Sequence, residues 1–189
     1  MRNSFLHKVL HTFHALYYWL LYAFVRNNKR FDADLKRWAK WKTQCHYKNR
    51  YMTFVFMMTE YKEFRNLCYC RMGFIQHFLH WLCPPLDSLR LFSNEFGGGL
   101  LIQHGWNTTI SAERIGENCR ILHSVNIGFK NGKRPVIGDN VHILCGASIF
   151  GGVHVGNNSV IGAHALVTHD VPENTVVGGV PARVIKSNE

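Results

Sequence analysis

From Ile137 onward an aliphatic side chain returns at every sixth position: Ile137, Ile143, Ile149, Val155, Ile161 and Val167. Amphipathic helices repeat their apolar residues every three or four positions and ordinary strands every two. A sustained period of six therefore predicts a solenoid of short repeats. The residues four further on are small or β-branched, namely Val141, Ala147, Val153, Ser159, Ala165 and Val171. Positions i and i+4 share the parity of a strand, so both sets are expected to point inward. Segments 115–120 and 121–126 fit the same template. Three such faces close one coil of a triangular prism filled with Ile, Val and Ala. Gly138, Gly156 and Gly162 each follow an inward residue, and with Asn140, Asn157 and Asn158 they are expected to supply positive φ at the corners. The period breaks once, where ten residues separate Ile127 from Ile137. The insert Phe129-Lys-Asn-Gly-Lys-Arg-Pro135 is polar and contains glycine, so it is predicted to leave the prism as a loop.

The first part of the chain follows a different rule. Leu6, Val9, Leu10, Phe13, Leu16, Tyr17, Leu20, Leu21, Phe24 and Val25 fall at spacings of three and four, predicting one stripe of an amphipathic helix. His7, Lys8, His11, His14, Tyr18, Tyr22 and Arg26 form its other side. The stretch 9–25 carries no formal charge, yet its periodicity, its two histidines and the lack of a small-residue cleavage site argue against a signal peptide or a membrane span. Two placements remain open: a helix lying on a membrane or partner subunit, and burial against neighbouring helices. Asp32 and Asp34 are expected to cap a second helix through Leu35, Trp38, Ala39 and Trp41, with its lysines and Arg37 exposed. Apolar segments follow at 51–58 and 64–82, and Pro84 and Pro85 end helical structure. The chain thus divides into a helical region, 1–88, and a β region, 89–189.

With 189 residues and 47% hydrophobic content the chain can bury a substantial core, which excludes a disordered protein. Its net charge of +10 is uneven: residues 1–95 hold fifteen Lys/Arg against six Asp/Glu, and residues 96–189 hold seven against six. A basic, aromatic-rich half can meet an anionic membrane surface, or present a solvated basic face beside a packed core. Nucleic acid is not the expected partner. Six cysteines fit no zinc spacing, and Cys68 and Cys70 form a lone C-x-C, so buried thiols in a reducing cytoplasm are expected, with no metal.

Together with the ending Val177-Gly-Gly-Val-Pro-Ala-Arg-Val-Ile-Lys186, the repeat resembles the hexapeptide-repeat acyltransferases over roughly residues 90–187. Its nearest likeness is to the serine acetyltransferases and the O-acetyltransferases of bacterial polysaccharide synthesis. Glu63-Phe-Arg-Asn-Leu-Cys-Tyr-Cys-Arg-Met-Gly73 is similar to the helical lead-in of some relatives. The resemblance implies a mainly β fold, a left-handed parallel β-helix preceded by α-helices. The hand comes from that likeness alone, since parallel crossovers are ordinarily right-handed. It also implies a homotrimer and acetyl-CoA as co-substrate.

Acetyl transfer from a thioester to an alcohol needs a base for the hydroxyl proton, donors for the oxyanion and a slot that aligns both substrates. Histidine suits the first task because imidazole ordinarily titrates near neutrality. Twelve histidines leave composition unable to choose. The segment Gly97-Gly-Gly-Leu-Leu-Ile-Gln-His-Gly105 resembles the stretch in which those enzymes carry their catalytic histidine, which makes His104 the implied general base. Serine acetyltransferases orient that histidine with an aspartate, and the matching position here is near Leu89. Asp87 and Glu113 remain as carboxylates to test. In those enzymes the overhanging loop carries an Arg-His-Pro sequence that holds the amino-acid carboxylate. Lys133-Arg134-Pro135 replaces it, so Lys133 and Arg134 are the implied acceptor contacts, for a carboxylate or a phosphate, with a simply solvated pair as the alternative. On the donor side the resemblance points to Gly146, Ala147, Ala163 and Ala165 beneath the pantetheine arm, and to Arg183 and Lys186 near the nucleotide phosphates.

The expected function is acetyl-CoA-dependent O-acetylation of a hydroxyl, on a sugar of surface polysaccharide synthesis or, alternatively, on serine in cysteine biosynthesis. It is expected in the cytoplasm, with residues 1–30 able to contact the inner membrane face. A non-catalytic β-helix scaffold is a third reading. His164 and His169 match the close histidine pair of γ-class carbonic anhydrases, but Gly128 stands where the third zinc ligand should lie.

Overall fold

A computed structural model describes residues 16–41, 49–80, 83–93 and 95–187. From Leu89 the chain winds as a parallel β-helix of five coils. The first coil is β1 (Leu89–Leu91), β2 (Glu95–Phe96) and β3 (Leu101–Ile102), and the second is β4 (Thr108–Ile110), β5 (Arg114–Ile115) and β6 (Arg120–Ile121). The third is β7 (Asn126–Gly128), β8 (Val136–Ile137) and β9 (His142–Ile143), and the fourth is β10 (Ser148–Phe150), β11 (His154–Val155) and β12 (Val160–Ile161). β13 (Leu166–Val167) and β14 (Thr175–Gly178) make the fifth. Every third strand pairs in parallel, giving a first face β1-β4-β7-β10-β13, a second face β2-β5-β8-β11 and a third face β3-β6-β9-β12-β14. β15 (Arg183–Ser187) then returns antiparallel on β14 and closes the third face.

The six-residue period does what it predicts. All the inward positions named from sequence, from Ile137 to Val171, are buried, and Ser159 joins them by donating its hydroxyl to Pro172 O at 2.8 Å. The glycine expectation needs correction. Gly138, Gly156 and Gly162 do not have positive φ; the positive values fall on Asn118, Asn140, Asn158 and Asn174, one above another at a corner. The glycines serve a different need, close approach between coils. A Cβ on Gly156 would lie 2.4 Å from Glu173 N, and one on Gly138 2.9 Å from Val155 O. Asn157 also keeps negative φ, and its Oδ1 accepts from Asp139 N at 2.8 Å.

The inserted residues leave the prism between β7 and β8 as a tight hairpin. Lys130 and Lys133 exchange backbone hydrogen bonds, and Asn131 and Gly132 take positive φ, the Asn-Gly signature of a two-residue turn.

Helices cover the open end of the first coil. Residues 16–25 are helical (α1), followed by α2 (Lys29–Trp41), α3 (Arg50–Glu60), α4 (Lys62–Met72) and a short α5 (Gln76–Leu79). The expected turns 6–15 of the first helix lie outside the described residues. Within 16–25 the buried stripe is Tyr17, Leu21 and Val25, while Leu16, Trp19, Leu20 and Phe24 face outward. The single stripe expected from spacing is therefore split across two faces, because Tyr18 and Tyr22 rotate inward against Cys83, Tyr51 and Phe54. The cap of α2 is Asn28, whose Oδ1 accepts from Arg30 N and Phe31 N, and neither Asp32 nor Asp34. Asp32 pairs with Lys36 and Arg50 on the surface, but Asp34 is fully buried against Arg71. Arg37 is half-buried rather than exposed, donating to Gly99 O at 3.0 Å.

An exposed first coil would leave backbone groups unpaired. The helices supply the partners that a further coil would otherwise provide. Arg71 donates to Phe96 O and Gly97 O, Trp38 Nε1 to Leu100 O, and Asn66 Nδ2 to Leu86 O and Leu89 O, while Asp34 accepts from Leu100 N. Burial pushes the Asp34 carboxyl up, and the Arg71 guanidinium and the Leu100 N–H oppose that rise.

Candidate active site

His104 sits on the edge where the third face turns into the first. It is exposed, and its φ of 54° lets the chain turn sharply out of β3. Gly105 behind it is buried, with Leu89, Ile102 and Glu63 so close that a Cβ would lie 3.0, 3.1 and 3.2 Å from their side-chain carbons. The His-Gly pair thus presents an imidazole outward and packs a bare backbone inward under α4.

The corners of successive coils stack above His104 through backbone hydrogen bonds. Ser124 N donates to Trp106 O, Gly146 N to His123 O, His164 N to Cys145 O and Leu166 N to Gly179 O. One continuous edge therefore runs from His104 and Trp106 past His123, Gly146 and Ala163 to Gly179. The His104 ring lies 5.5 Å from the Trp106 ring and 6.4 Å from the His123 ring, and Trp106 is 6.3 Å from His123.

The four small residues on this edge differ in role. Gly146, at φ 70°, and the exposed Ala163 stand at the surface. Ala147 and Ala165 point into the prism with no exposed area, so only their backbone reaches the edge. A Cβ on Gly146 would lie 2.3 Å from His164 Nδ1, which explains why glycine is needed there. Arg183 and Lys186 are both exposed on β15. Arg183 pairs with Gly178, at the end of β14 that leads into this edge, and Lys186 with Val176, further back along the strand.

Lys133 and Arg134 lie elsewhere, at the edge between the first and second faces. Lys133 packs its stem over Gly152, and Arg134 Nη1 reaches Phe92 O at 3.5 Å. Within one chain the first face separates them from His104. Glu113 is on their side, donating its backbone N–H to Pro135 O. Asp87 precedes β1 and so lies at the His104 edge; Leu89 abuts Gly105. Among the described residues no carboxylate hydrogen-bonds His104, and no three His, Cys, Asp or Glu side chains converge as a metal site would require.

Sequence reasoning missed Trp106, His123 and the approach of Glu63. His123 was legible, since it follows His104 by the same nineteen residues that set Leu101 against Arg120 and Ile102 against Ile121. Glu63 was not, because its place depends on how α4 docks.

The chain resembles known proteins in sequence and fold. The bacterial transferase hexapeptide (six repeats) family matches residues 134–169. A serine acetyltransferase of Staphylococcus xylosus is 37% identical over 99 residues, covering 50% of this chain and 46% of that protein. One from Synechococcus elongatus is 38% identical over 96 residues, covering 48% of this chain and 39% of its own length. The chain spans less than half the length of these curated relatives. The likeness of structure extends further, into the helices. Neisseria gonorrhoeae serine acetyltransferase in complex with serine superposes with a TM-score of 0.68 at 27% identity, over 90% of this chain and 73% of that one. Brucella abortus serine acetyltransferase in complex with coenzyme A gives a TM-score of 0.67 at 22% identity, over 88% and 72%, a likeness of fold.

Proposed function

We propose that this chain transfers the acetyl group of acetyl-CoA to the hydroxyl of a small acceptor, and that the acceptor is serine. The observation that carries this reading is the edge that begins at His104 and continues past Gly146 and Ala163, in a chain half of which resembles serine acetyltransferases. His104 takes the hydroxyl proton as the oxygen attacks the thioester carbonyl. The pantetheine arm lies along Gly146 and Ala163 and over the backbone of Ala147 and Ala165, where flat corners let it approach closely. Arg183 and Lys186 meet the phosphates of the nucleotide.

Lys133 and Arg134 hold the acceptor carboxylate. Because they stand across the first face from His104, a complete site needs the hairpin of one prism beside the His104 edge of the next. This supports a homotrimer with sites between subunits. Residues 89–189 act as the catalytic unit, and 1–88 as the helical support beneath it.

A second reading keeps the same chemistry with a sugar hydroxyl as acceptor. Leu89 in place of an orienting aspartate, and Arg134 in place of histidine, favour it, whereas the relatives named above favour serine. The outward strip Leu16, Trp19, Leu20 and Phe24 on α1 suits peripheral contact with an anionic membrane, and none of the described helices is long and apolar enough to cross one. Thiol release from acetyl-CoA, measured with serine and with a panel of sugars, tests the assignment. Serine is expected to give the fastest turnover. A sugar outperforming serine would overturn the acceptor, and no turnover with any acceptor would overturn the transferase reading.

A further inference from the structure

Among the described residues, one buried side-chain nitrogen or oxygen has no hydrogen-bond partner: His123 Nδ1. It belongs to the cluster of rings with His104 and Trp106, one coil above the implied base and one coil below Gly146. Burying an N–H with no acceptor costs about 1–3 kcal/mol, so the neutral ring keeps its proton off Nδ1 and on Nε2. Nε2 is not among the buried, unpartnered atoms, and the half-buried ring leaves its N–H available at the edge. The His123 backbone carbonyl accepts from Gly146 N at 3.1 Å, and its ring lies 6.3 Å from the Trp106 ring and 6.4 Å from the His104 ring.

We propose that His123 is a catalytic hydrogen-bond donor, its Nε2–H binding the thioester carbonyl oxygen and the oxyanion that forms from it. The inference rests on the transferase reading above. A thioester arriving from Gly146 and Ala163 passes His123 before it reaches His104, so donor and base meet the same carbonyl from adjacent coils. The acceptor hydroxyl gives its proton to His104 as its oxygen bonds to the acetyl carbon. The carbonyl π-electrons move to oxygen, where His123 Nε2–H holds the negative charge. Collapse re-forms the carbonyl and breaks the C–S bond, and the proton on His104 passes to the departing thiolate, giving the acetyl ester and free coenzyme A. His123 itself neither gains nor loses a proton.

The test compares wild type, His123→Phe, His123→Gln and His104→Gln as full-length proteins, with acetyl-CoA and the acceptor that turns over fastest. Loss of one oxyanion donor typically lowers kcat by about 100- to 1000-fold. His123→Phe is expected to lose kcat to that extent, with a far smaller change in KM for acetyl-CoA. His123→Gln keeps an N–H donor and is expected to recover part of the loss, which a purely structural role would not produce. Nitrogen-15 NMR of the imidazoles at pH 8 is expected to show the Nε2–H form for His123. An Nδ1–H tautomer, or a His123→Phe enzyme with wild-type kcat while His104→Gln is inactive, would overturn the role of His123 alone. A wild type without turnover would remove the transferase reading and this inference with it.

Discussion

At the residue scale the fold is set by side chains too small to interfere. Gly156 illustrates this: its missing Cβ makes room for the backbone of Glu173 in the next coil. Backbone cannot move aside as the tip of a long side chain can, so Gly156→Ala should destabilise the protein by about 1–3 kcal/mol, read as a lower denaturation midpoint. Alanine at Gly132, where nothing lies within 4 Å, meets only the unfavourable φ of 74° and should cost less. Cysteine reactivity follows burial in the same way. Burial pushes the Cys119 thiol up to about 11, with its Sγ close to Gly138 O, whereas Cys145 is only half-buried at the candidate edge. In the folded protein at pH 8, alkylation followed by peptide mass spectrometry should find Cys145 modified well before Cys119. Equal rates would show that the prism opens there. Sequence pattern was sufficient to find the inward aliphatics, because their spacing is dictated by the coil. It mistook the reason for the glycines, because a close approach between coils leaves no mark that distinguishes it from a turn needing positive φ.

At the element scale, the decisive contact is the one between α2, α4 and the first coil. Asp34 and Arg71 form a bidentate pair with nearly no exposure, and both bond the backbone of the coil. Removing the carboxylate leaves a buried guanidinium unpaired, so Asp34→Ala should cost about 3–5 kcal/mol in a denaturant titration. The spacing of α2 predicted the helix and missed this role, since an aspartate near a helix start ordinarily reads as a cap. The third face carries a pH dependence. Burial, with Arg120 and Arg37 nearby, holds the His142 imidazole below its ordinary value. The folded protein then binds that proton less readily than the unfolded chain, so stability should fall as pH drops below about 6.5. His142→Gln should reduce that fall, measured as the change in unfolding midpoint between pH 7.5 and 5; an unchanged slope would assign it to other groups.

At the scale of the whole molecule, the sequence disclosed the prism but not its surroundings. A period of six is a local property repeated many times, whereas docking of the helices depends on a few side chains such as Trp38, Asn66 and Arg71 meeting specific carbonyls. The residues proposed for the site drew on the same local pattern. His104 lay in a recognisable phrase, the residues proposed to meet the donor lay mostly on the repeat, and the separation of the hairpin from His104 emerged only from the order of the faces. That separation makes a prediction about assembly. Light scattering should give a mass about three times the chain's 21.9 kDa, and a monomer would contradict a site shared between prisms.

The central claim is that His104 is the base of an acetyl transfer on this edge, and one comparison tests it most directly. Thiol release from acetyl-CoA with serine should fall by about 100-fold or more in His104→Gln, while the variant keeps the wild-type unfolding midpoint. A folded His104→Gln protein that turns over at the wild-type rate would contradict it.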